Sequence, residues 1–161
     1  MGYVRRDTRH GEGLMAEGVK ALEEPMEATL ADHGGLARMT WQISGSREAG
    51  ATWLVATVEF VGFGVQVFLE DPLLRFDQVR TFAEDLWHVA DRQEGELEAT
   101  FEPYLKIKAR SPSRLTSRLE VTLDFTMGTD AHVTANLQAD GTLTLAFVDA
   151  LDRALEAVEE L

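Results

Sequence analysis

Four histidines, His10, His33, His88 and His132, are the side chains best suited to move a proton or hold a metal near neutral pH. No two of them stand at the HxxxH or HxxEH spacing that aims two imidazoles at one ion. His10 and His33 fall in a polar leading segment, His88 follows Trp87 on the flank of a predicted helix, and His132 lies on the polar side of a predicted strand. They read as surface and boundary residues. Among the carboxylates, Glu84 and Asp85 are sequence neighbours on a predicted helix, where facing pairs stand three or four apart. Glu156 does face Glu159 or Glu160, but a solvated helix face accounts for such a pair without acid–base chemistry. With no cysteine there is no disulfide framework, zinc finger, iron–sulfur cluster or thiol nucleophile. There is no GxSxG elbow, Walker loop or dinucleotide fingerprint; HGEG at His10–Gly13 and GFG at Gly62–Gly64 are too short to count. The residues nominate no catalytic centre, no metal site and no cofactor, and the chain is read as a non-enzyme.

Charge carries more information. The 161 residues include 15 basic and 28 acidic side chains, a formal net charge of −13. Nucleic acid is therefore an unsuitable partner, because phosphate binding needs clustered Lys and Arg. The average hides a layout. Lys106, Lys108, Arg110, Arg114 and Arg118 supply five of the 15 basic residues within thirteen positions that contain no acid. Residues 51–105 carry 11 acids against 3 bases, and residues 119–161 carry 9 against 1. The basic segment has two readings, a solvated strand face with cross-strand ion pairs or a stripe (Lys106, Lys108, Arg110, Arg118) for an anion or a partner. The negative surface suits a basic protein partner, whose association its field would speed. Glu84, Asp85, Asp91 and Glu94, on and just after the first predicted body helix, are the candidate contacts.

The elements that must position these groups follow from periodicity. Residues 1–13 are polar and are expected to form a flexible tail. Leu14, Met15, Val19, Leu22, Met26 and Leu30 recur at three and four, predicting an amphipathic helix interrupted by Pro25 and stopped by His33-Gly34-Gly35. Strands are predicted from Leu36 to Ser44, from Thr52 to Val61 and from Val65 to Leu69, with Gly62 and Gly64 bending or reversing the chain. Asp71-Pro72 reads as a helix start, and Phe76, Val79, Phe82, Ala83, Leu86, Trp87 and Ala90 mark one face of a helix to about Arg92. Strands Glu96–Phe101 and Tyr104–Arg110 come next. The strongest alternation runs from Leu115 to Met127, and His132–Ala139 repeats it after a turn at Gly128–Asp130. Asp140-Gly141 reads as a hairpin turn into a strand with Leu143, Leu145 and Phe147, and a last helix starts near Asp149.

Runs of strands broken by only two main helices specify an α+β fold. The expectation is a single curved antiparallel sheet of about 6–8 strands with two helices on its apolar face. Residues 1–35 are expected to form a flexible or helical N-terminal arm, and residues 36–161 a single domain. A chain of this length buries about two-thirds of the surface exposed when unfolded. With no apolar run of membrane-span length and no signal-peptide pattern, the expected location is cytoplasmic, away from any membrane.

Trp53-Leu54-Val55-Ala56 leading to Val58 and Gly62-Phe63-Gly64, Phe68-Leu69-Glu70 before Asp71, and the helix with Phe76, Phe82 and Leu86 form a recognisable series. It continues through Gly95-Glu96-Leu97-Glu98, Glu102-Pro103-Tyr104-Leu105, the long alternating strand, and Leu145-Ala146-Phe147 before Asp149. Over residues 51–161 the chain resembles the WapI-type immunity proteins of bacterial contact-dependent toxin systems. The leading 35 residues depart from that pattern. The resemblance implies a small cytoplasmic antitoxin that blocks a toxin domain, often a basic nuclease, and catalyses nothing; it transfers no binding residues. Two other classes stay open from the residues alone. A small-molecule-binding or metal-dependent enzyme domain would need a pocket with converging groups such as His88 or His132. A homo-oligomeric structural domain would need open strand edges.

Overall fold

The computed structural model describes residues 2–6 by their backbone, then 18–127 and 131–161. His10, the start of the expected leading helix at Leu14, and the Gly128–Asp130 turn lie outside the described residues. Instead of one sheet the described residues form two. The first contains β1 (Gly2–Arg6), β2 (Val19–Ala31), β3 (Ala37–Glu48), β4 (Thr52–Gly62) and β5 (Val65–Glu70) in the order β1-β5-β4-β3-β2, with the short β6 (Leu74–Arg75) also paired to β4. It is antiparallel except for β1, which runs parallel to β5 where a free tail was expected. After α1 (Phe76–Arg92), strands β7 (Glu96–Phe101), β8 (Leu105–Arg110), β9 (Arg118–Met127) and β10 (Ala131–Asp140) form an antiparallel meander, and α2 (Gly141–Glu159) closes the chain. Hairpin signals fix which neighbours pair. They do not say that pairing stops at α1, which is why alternation alone suggested a single sheet.

Residues 19–31 are a strand, not the expected helix. Leu22, Met26 and Leu30 fit a period of two as well as 3.6, the buried Ala28 fits only the former, and the neighbouring β3 supplies a template on which period two wins. Pro25 sits where the ladder is interrupted: Ala21 pairs with Gly45 and Met26 with Ile43, so four residues bulge opposite one. Gly45 makes that approach possible, because a Cβ there would lie 2.2 Å from the Lys20 carbonyl oxygen. His33-Gly34-Gly35 belongs to the β2–β3 turn. The Phe63-Gly64 step is a two-residue hairpin with both φ angles positive, 52° and 74°, the geometry that suits the twist of the flanking strands.

Two caps differ from expectation. Asp71 does not cap α1. It adopts φ 52°, donates its N–H to the Ala56 carbonyl (3.0 Å) and forms an ion pair with Arg47, and β6 then intervenes before the helix begins at Phe76. Asp140-Gly141 is no hairpin. Asp140 is the N-cap of α2, its Oδ1 accepting the Thr142 N–H at 2.8 Å. Thr144, Phe147, Val148, Leu151, Ala154, Leu155 and Val158 are buried at helical spacing, which overrides the shorter alternation of Leu143, Leu145 and Phe147. Leu115 is 96% exposed; the strand begins only at Arg118, because Ser113 holds a local turn by accepting from the Leu115 and Thr116 N–H groups.

Both helices touch both sheets. Their apolar stripes meet Trp41 of β3, whose ring lies 5.9 Å from Phe82 of α1, 5.6 Å from Phe101 of β7 and 6.1 Å from Phe147 of α2. Phe60 of β4 meets Phe125 of β9 at 5.7 Å and joins the sheets directly. Each such ring contributes about 1.5–3 kcal/mol by burial, so this aromatic seam holds the layers together. The helices are antiparallel: Arg80 near the start of α1 pairs with Glu159 at the end of α2 (3.0 Å), while Gly141 opens α2 close to Ala90.

Candidate partner-binding surface

The buried stripe of α1 (Val79, Phe82, Ala83, Leu86, Val89, Ala90) leaves Glu84, Asp85 and Asp91 exposed on the opposite side, and Glu94 exposed just beyond the helix. They do not form one cluster. Glu84 and Asp91, two turns apart, share one line along α1, and Glu84 lies close enough to Asp152 of α2 to act on its carboxyl. Asp85 and Glu94 turn toward β7, where they border a groove of about 630 Å³ together with His88, Arg92, Glu96 and Glu98. Glu94 also forms an ion pair with Arg114.

Sequence reasoning missed the α2 contribution. Burial pushes the Asp152 carboxyl up, and Glu156, Asp149 and Glu84 push it further, against a smaller opposing effect of Arg80. The two helices therefore carry a shared layer of mutually repelling carboxylates. The 149, 152, 156 spacing is visible within the last helix, but its proximity to Glu84 depends on how α2 docks against α1.

Lys106, Lys108 and Arg110 project from β8 on the solvent side of the second sheet. Lys106 Nζ lies 2.8 Å and Lys108 Nζ 3.8 Å from the Glu98 carboxylate of β7; Arg110 Nε donates to Glu120 of β9 at 2.6 Å. The Glu98 carboxyl is lowered chiefly by its hydrogen bond from Lys106, and Lys106 is raised by the same bond. Arg118 lies beyond the end of β8, opposite Asp140, and donates to His33 Nε2 at 2.9 Å. Arginine can only donate, so that imidazole nitrogen is the acceptor. An incoming anion would have to displace these acceptors.

The remaining histidines are separate. His88 packs edge-on against Trp87 with ring centroids 5.2 Å apart, and His132 Nε2 lies 3.1 Å from Thr134 Oγ1 and 3.8 Å from Asp124. Among the described residues, no group of three or more His, Asp or Glu side chains converges to hold a metal ion, and no helix is long and apolar enough to cross a membrane.

No curated protein matches the chain. The family model described as the Immunity protein WapI-like family matches residues 38–159, a span running from β3 to the end of α2 and containing all the acidic residues of the helical layer. The chain belongs to the WapI-like immunity protein family.

Proposed function

We propose that this chain is a non-catalytic antitoxin that binds a cationic toxin domain and holds it inactive in the cytoplasm. Family membership supports the immunity role. The observation that carries the cationic partner is the row of exposed carboxylates on α1 together with those of α2, where Asp152 is raised first by burial and then by Glu156, Asp149 and Glu84. Charges that repel one another in the free protein are relieved when Lys or Arg side chains come opposite them, so binding gains from a field that folding alone leaves unneutralised. Glu84, Asp85 and Asp91 on α1, and Glu94 just beyond it, are the proposed contacts, Glu94 exchanging Arg114 for a toxin cation. The Lys106–Arg118 segment, engaged by Glu98, Glu120, Glu94 and His33, serves the second sheet and not an anion.

The test is co-expression with the toxin domain encoded beside this chain's gene. The reading expects restored growth and a stoichiometric complex that survives size exclusion. A neighbouring domain that neither binds nor is neutralised overturns it.

A further inference from the structure

Among the described residues β7 ends the second sheet, and its register reveals what its outer edge offers. The Ser111 N–H donates to the Gly95 carbonyl at 3.0 Å, so the hydrogen-bonded pairs of the β7–β8 ladder are Leu97–Ala109, Ala99–Ile107 and Phe101–Leu105. The next ladder agrees: the Thr126 N–H donates to the Tyr104 carbonyl at 2.9 Å, which assigns the even-numbered residues of β8 to β9. The backbone N–H and C=O groups of Glu96, Glu98 and Thr100 therefore point away from the sheet. They face the space between β7 and α1, which widens into the 630 Å³ groove at one end and a depression of about 250 Å³ at the other. Asp77, Asp85, Glu94, Glu96 and Glu98 line these two hollows with Arg92; Asp77, Glu94 and Glu98 also pair with Arg75, Arg114 and Lys106, so Asp85 and Glu96 are the carboxylates an incoming cation meets first.

We infer that β7 is a docking edge that accepts an extended, Lys- or Arg-bearing segment of the toxin domain as an added strand, with the α1 carboxylates gripping its side chains. The inference rests on the immunity reading and adds how the partner is held. An open edge supplies backbone hydrogen bonds to any extended chain; the acidic walls select a basic one. A strand laid there would bond the groups of Glu96, Glu98 and Thr100 without disturbing the β7–β8 ladder.

Two measurements on the full chain with the toxin domain encoded beside its gene test this. In hydrogen exchange by NMR, the amides of Glu96, Glu98 and Thr100 are expected to slow at least tenfold in the complex, while those of Leu97 and Ala99, already bonded to β8, change little. Thr100→Pro removes an outward N–H and no ladder bond, and proline is tolerated on an edge with its nitrogen toward solvent. It should weaken binding at least tenfold, with Thr100→Ala within about twofold of the parent. If Thr100→Pro does not fold, the exchange pattern of the unaltered chain decides. A complex that forms with no protection at the three amides overturns the docking edge and leaves the immunity reading standing. Absence of any complex overturns that reading itself. Protection of the three amides in the isolated chain that grows with its concentration would mean that β7 pairs with a second copy, and overturns the inference.

Discussion

Trp41 offers the sharpest test of how the layers are held together. Its side chain is fully buried among Phe82, Phe101 and Phe147, and its indole N–H has no hydrogen-bond partner among the described residues. Two substitutions separate these features. Trp41→Ala removes the ring that α1, α2 and β7 all touch, and truncation of this kind costs about 3–5 kcal/mol. That is a large part of the roughly 5–15 kcal/mol that holds a domain folded. Trp41→Phe keeps an aromatic ring at the seam. It forfeits about 1 kcal/mol of apolar transfer and leaves roughly 40 Å³, which at about 24 cal/mol per Å³ costs another ~1 kcal/mol. Against this it removes a buried unpaired donor, a relief of about 1–3 kcal/mol. The net change for Trp41→Phe should thus fall within about 1 kcal/mol of zero. Urea unfolding followed by far-ultraviolet circular dichroism measures both midpoints. A Trp41→Phe variant destabilised by 3 kcal/mol or more, close to Trp41→Ala, would refute the claim that the indole N–H is a liability balanced by packing.

Further outcomes follow from single contacts. Asp140→Ala should lower stability by about 1 kcal/mol in thermal unfolding, with Asp140→Asn close to the parent, because only the cap to the Thr142 N–H is lost; equal losses for both would assign the effect to charge. Gly62→Ala should cost about 1–3 kcal/mol, since its Cβ would stand 2.3 Å from that of Ala37 across the β3–β4 ladder; an unchanged midpoint would show that the strands can part freely. Asp152→Asn should raise the melting temperature at pH 7. A carboxyl raised in the folded state favours folding only at pH below its unfolded value and loses that contribution as pH rises through the folded one. The gain should therefore vanish as acid protonates Asp152, and a gain independent of pH would refute the charge argument.

Much of the fold was legible in the residues. β4, β5, α1 and β7 to β10 follow from alternation, from the apolar stripe Phe76–Ala90 and from the glycine turns, because in each of these segments local pattern and tertiary burial agree. Two of the differences arise where one local pattern fits two structures. Leu22, Met26 and Leu30 match both a helical and a strand period, and only the presence of β3 beside them decides. Asp140-Gly141 carries the same chemistry for a hairpin and for an N-cap; the buried run Thr144–Val158 settles it, but over a longer window than the turn. The pairing of Arg110 with Glu120 across the β8–β9 ladder could be read from the strand register. The acidic layer was half visible. Glu84 and Asp91 stand out on their own helix, whereas Asp152 meets Glu84 only through the antiparallel docking of α2, which composition and charge counts do not encode.

The central claim, a carboxylate surface that captures a cationic toxin domain, is tested most directly by stopped-flow association with that domain as a function of ionic strength. The parent chain is compared with the combined variant Glu84→Gln, Asp85→Asn, Asp91→Asn, Glu94→Gln. Electrostatic steering raises association from about 10⁵–10⁶ toward 10⁸ M⁻¹s⁻¹ at low salt, and salt removes the increment. The parent should show this steep salt dependence, and the neutralised variant should associate at least tenfold more slowly at low salt and converge with it at high salt. Association equally fast for both, and indifferent to salt, would contradict the account.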